Sequence, residues 1–65
     1  MKYLVIGSDC MGDMSHMTIE IVDSHKMFGN EFRKAVENKI WEKMGSNLSQ
    51  VIVIEDSVVI DDWPI

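Results

Sequence analysis

Only one stretch of this chain, residues 30–44, repeats its apolar side chains at helical spacing. Phe32, Ala35, Val36, Ile40 and Met44 recur three and four residues apart and make a single stripe. Asn30 is placed to cap the helix, because its side-chain oxygen can accept from a free amide of the first turn. Glu31 sits where the helix dipole favours an anion, and Lys39 and Lys43 sit where it favours a cation. Gly45 supplies a left-handed stop, with Ser46 and Asn47 beyond it. A start at Ser24 would put Gly29 inside the helix and weaken it. Trp41 follows Ile40 and falls at the margin of the stripe. With one helix, a chain of 65 residues must draw the rest of its core from strands.

Three apolar runs have that character. Tyr3-Leu4-Val5-Ile6 is short and continuous, and Gly7 and Asp9 read as its stop. Residues 7–16 hold two glycines and two aspartates and read as a loop. In 17–22, Met17, Ile19 and Ile21 alternate with Thr18 and Glu20, the pattern of a half-buried strand. The link between these two runs allows a wide hairpin, so they are expected as antiparallel neighbours. Val51-Ile52-Val53-Ile54 is β-branched throughout, which suits a strand covered on both faces or at a sheet centre. Glu55-Asp56-Ser57 interrupts it and Val58-Val59-Ile60 resumes. A hairpin turning at Asp56-Ser57 is the preferred reading, although the pair lacks the Asn-Gly or Asp-Gly signal. One bent strand is the alternative. The remainder, 61–65, reads as a polar break and a hydrophobic tip. The expected fold class is α+β: β-β-α-β, with a possible final strand. One helix then lies on a three- to four-stranded, mainly antiparallel sheet, in a single domain over 1–65.

So short a chain buries only about 60% of the surface that its unfolded form exposes. Small domains add disulfides, a metal or a partner. The lone Cys10 excludes an internal disulfide, so association is expected, as a homodimer or within a heteromeric complex. A hydrophobic fraction of 46% excludes a disordered chain. Six basic and eleven acidic residues give a net charge of −5. That excludes nonspecific binding to nucleic acid or to an anionic membrane, both of which need clustered Lys and Arg. The run from Tyr3 to Ile6 is too short for an export signal or a spanning helix, so a cytoplasmic location is expected.

The densest set of ligand-type side chains is Asp9, Cys10, Asp13, His16 and His25. Its spacing matches neither a zinc pattern nor a calcium loop, and aspartates in such loops commonly bond their own backbone. The opening Val5-Ile6-Gly7-Ser8-Asp9 is similar to the first strand and turn of phosphate-handling enzymes, but the lysine and further glycines of those loops are missing. Nothing orients Cys10 as a nucleophile beside His16 or His25. No catalytic residue, metal ligand or cofactor is therefore expected. Met11, Met14 and Met27 fit neither apolar face, and flexible thioethers suit surfaces that adapt to a partner.

From Val51 onward the chain carries Glu55, Asp56, Asp61 and Asp62 and no base, whereas the helix carries Arg33, Lys34, Lys39 and Lys43. An acidic docking edge made by Glu55, Asp56, Asp61 and Asp62, with Trp63 as an aromatic anchor, is the candidate partner-binding site. A solvated rim that discourages edge-to-edge pairing competes with it. In size, acidity and element order the chain resembles small acidic accessory proteins that bacteriophages make during host takeover, antitoxin and anti-defence proteins among them. That resemblance is one of type and carries no residue across. It implies a non-catalytic protein that binds and masks a basic partner, such as a host nucleic-acid-binding enzyme, toxin or defence factor. A small metal-binding or nucleotide-sensing module using loop 8–16, or a structural subunit of a larger assembly, are the alternatives.

Overall fold

Four extended segments form one antiparallel sheet in the computed structural model, which describes residues 1–63. The strands are β1 (Lys2–Ser8), β2 (Met14–Glu20), β3 (Gln50–Glu55) and β4 (Val58–Trp63), and α1 (Asn30–Met44) lies between β2 and β3 in sequence. The order across the sheet is β2-β1-β3-β4. The α+β class, the antiparallel pairing of the first two strands and the final hairpin are all as the sequence pattern expects. No helix among the described residues is long and apolar enough to cross a membrane.

The helix covers one face of the sheet. Val36 and Ile40 are fully buried, against Tyr3, Val5, Ile19, Val51 and Val53 of the inner face. Phe32, Ala35 and Met44 complete the stripe as half-buried side chains. Trp41, expected at its margin, is exposed (56%) because it points away from the sheet. Asn30 is the first helical residue rather than the cap. Gly29 holds the cap position at φ 56°, and no side chain bonds the free amides there. Gly45 does stop the helix in the left-handed region, donating its amide to the Trp41 carbonyl at 2.7 Å.

Two boundaries move for physical reasons. Gly7 does not end β1, which runs on through Ser8. It is buried where the Leu48–Gln50 segment crosses the strand. A Cβ at this position would collide with the Gln50 carbonyl oxygen and the Leu48 side chain. Glycine here serves close approach within a strand, a use that resembles a terminator in sequence. β2 starts at Met14, three residues ahead of the alternating run, because Ser8 pairs with Met14 and the loop needs only residues 9–13. Asp9 closes that loop by accepting from the amides of Met11 and Asp13, both at 2.9 Å. Beyond β2, Ile21 stays buried and exchanges backbone bonds with Met1. The buried Ser24 hydroxyl then meets the Tyr3 hydroxyl at 2.6 Å, which ties the link before the helix to the sheet.

Candidate interaction surface

β4 is an edge strand; Asp61 and Asp62 lie on it, Asp56 lies in the turn before it, and Glu55 is the last residue of β3. Asp56 and Ser57 form a two-residue turn with φ of 50° and 66°. Two successive positive values are the requirement of the tight hairpin turn that matches strand twist. A one-residue bulge then interrupts the ladder: Ile54 pairs with Val59, but Val53 pairs with Asp61, leaving Ile60 as the extra residue. The bulge decides where the acids point. Asp61 faces the helix side, whereas Asp62 pairs with Ile52 and shares its outward face.

Arg33 of α1 reaches down to Asp61 in a two-pronged pair. Its Nε donates to Oδ2 at 3.1 Å and its Nη2 to Oδ1 at 2.9 Å. Both side chains are about three-quarters buried, with 26% and 23% exposed. The Asp62 amide also donates to Asp61 Oδ1 at 2.9 Å. The Arg33 hydrogen bonds, aided by its charge and by that amide, hold the Asp61 carboxyl below its ordinary 3.8 against the opposing effect of partial burial. Arg33 is raised in turn, chiefly by its bond to Asp61. The same guanidinium lies 5.4 Å from the centre of the Trp63 ring, within cation–π range.

These contacts change the expected roles of two residues. The polar break anticipated at 61–62 is continuous strand, and Trp63 is its last residue, half-buried and packed against the core. Trp63 is thus part of the hairpin's attachment to α1. The other two residues of the expected hydrophobic tip, Pro64 and Ile65, lie outside the described residues. Asp61 has its charge matched by Arg33. Asp56 at the turn and Asp62 near the far end remain exposed, and Glu55 is half-buried. The two ends of the acidic edge stand roughly 15–20 Å apart along a six-residue strand, so they form two acidic poles.

Between the poles lies a feature that the charge pattern hid. Val58, Val59 and Ile60 are 60%, 56% and 43% exposed. Phe28, at 80%, stands beside Ile60 in an open groove floored by Tyr3, Met27 and Phe32. The β-branched character of 58–60 was plain in the sequence, but its exposure follows from the edge position of β4. Phe28 carried no such signal. In the loop after β1, Cys10, Met11 and Met14 are all exposed. Among the described residues, no three His, Cys, Asp or Glu side chains come together as a metal ion would require. Comparison with protein-family models, curated proteins and solved structures finds no match to this chain.

Proposed function

We propose that this chain is a non-catalytic, acidic interaction protein that binds a basic partner protein through its β3–β4 hairpin and masks or inhibits that partner. One observation carries the reading: β4, the edge strand among the described residues, presents exposed Val58, Val59 and Ile60 between the acidic poles of Asp56 and Asp62. Apolar contact at the centre with charge at the rim is the usual division of labour in protein recognition. A free edge also offers backbone groups to an extended segment of the partner. The acids speed encounter with a positive surface, and the apolar centre slows departure. The resemblance to small bacteriophage accessory proteins fits the same role and suggests a host enzyme, toxin or defence factor as target.

Capture of the tagged protein's partner from its host, followed by binding kinetics with the purified partner, tests this. The triple variant Glu55→Gln, Asp56→Asn, Asp62→Asn should associate several-fold more slowly and lose most of its salt dependence, with dissociation little changed. An acidic partner, or an unchanged association rate, would overturn the reading.

A further inference from the structure

The helix covers one face of the sheet, and the strand register shows what the other face carries. Leu4 pairs with Ile54 and Ile54 with Val59, making one row across three strands. Ile6 pairs with Ile52 in the next row. Leu4 and Ile52 are each 37% exposed, Ile6 and Ile54 are half-buried, and Val59 is exposed. Five aliphatic side chains thus form one block on a face that, among the described residues, no element covers. Its surround is polar and charged: Lys2, His16, Thr18 and Glu20 on one flank, Asp56 and Asp62 on the other.

We infer that this open face is the contact of a symmetric homodimer, in which two sheets pack face to face. The area fits. A monomer of 7.5 kDa is expected to expose about 4,250 Å², whereas this chain exposes 4547 Å². Four strands about 4.8 Å apart and about six residues long span roughly 19 by 20 Å. Two such faces give about 760 Å² in projection, and side-chain relief raises the accessible area towards the roughly 1,200 Å² at which specific interfaces begin.

The charges fit as well, for one particular arrangement. A twofold axis running along the strands between β1 and β3 reverses the strand order of the second sheet over the first. Leu4 then faces Ile54 of the second copy, and Ile6 faces Ile52. The same operation sets Lys2 against the opposite charge of Asp56 of the second copy, and brings the His16 ring, which can donate a hydrogen bond, over the Asp62 carboxylate. The rim is complementary to itself, as an interface between identical copies must be. A twofold axis perpendicular to the strands, centred on the aliphatic block, places no such pairs together. The dimer leaves the backbone edge of β4, with Val58 and Ile60, free for a partner, but it draws Val59, Asp56 and Asp62 into the contact between copies. The two roles therefore share those three residues, and the mass of the dimer is measured without a partner.

Sedimentation or light scattering across a concentration series tests the inference. The wild type should approach twice its 7.5 kDa mass at tens of micromolar. Ile52→Glu places two charges in the symmetric contact and should weaken association about a hundredfold or more. It should keep the wild-type circular dichroism, because Ile52 points away from the core. Trp41→Glu, on the outer surface of the helix, should leave the mass unchanged. A wild type that stays monomeric at 100 micromolar, or a dimer that survives Ile52→Glu, would overturn it.

Discussion

The two faces of the sheet are built from the same strands and nearly the same residues, yet they end in different environments. On the helix side, Val5, Val51 and Val53 are at most 1% exposed. On the other side, their immediate neighbours Leu4 and Ile52 remain 37% exposed. β2 alternates cleanly, with Met17 and Ile19 inward and His16, Thr18 and Glu20 outward. β3 does not alternate, since Val51 to Ile54 is apolar on both sides. A strand at the centre of a one-sided sheet has no need of an apolar outer face. The contrast between β2 and β3 thus separates a part of the sheet meant for solvent from a part meant to be covered.

The largest effect should come from the covered side. Val36→Asp and Ile40→Asp each place a carboxylate where no water reaches and no cation waits. The cost, several kcal/mol, is comparable to the whole stability of so small a domain. Circular dichroism should show either variant unfolded. A native spectrum would mean that the core lies elsewhere.

A milder pair of substitutions measures the contrast directly. Val53→Ala empties space inside the core and should cost about 2 kcal/mol, whereas Ile52→Ala on the open face should cost about 1 kcal/mol or less in the monomer. Urea titration at low micromolar concentration would compare them. At high concentration the gap should narrow, because Ile52 then becomes buried in the dimer. Equal losses at every concentration would remove the distinction between the faces.

The smallest effect concerns the bond that ties the edge hairpin to the helix. Asp61 titrates lower in the folded protein than its ordinary 3.8. The unfolded chain therefore binds its proton first as pH falls, and the folded state loses stability as pH drops from about 4 through the folded value. Above that window the contribution is fully present. Thermal melts of wild type and Arg33→Gln should differ modestly at pH 6, and the difference should shrink as pH falls below about 4. A difference that stays constant as the solution is acidified would place the effect of Arg33 in its packing on Trp63 instead.

Much of this architecture was legible before any coordinates. The stripe from Phe32 to Met44 marked both ends of α1, and the run at Val51 marked the strand that lies second from the edge. The interruption at Asp56-Ser57 left a hairpin and one bent strand both open, with the hairpin preferred, because neither residue is the glycine that the turn's positive φ values favour. Three things were hidden, each because it depends on contacts between distant residues. The backbone crossing at Gly7 makes that glycine a strand residue, and the bulge at Ile60 puts Asp61 rather than Asp62 on the helix side of the sheet. Arg33, 28 residues from Asp61 in sequence, turns Trp63 from a free anchor into packing. The candidate site was therefore readable as a composition, acidic and aromatic, but not as an arrangement.

Methyl resonances followed over a dilution series test the inequality of the two faces most directly. Leu4, Ile6, Ile52, Ile54 and Val59 should shift together between about 1 and 500 micromolar, while Val5, Val36, Val51 and Val53 stay fixed. Shifts confined to Val58 and Ile60 would place self-association at the β4 edge, and no shifts at all would leave the open face uncovered; either result contradicts that inequality.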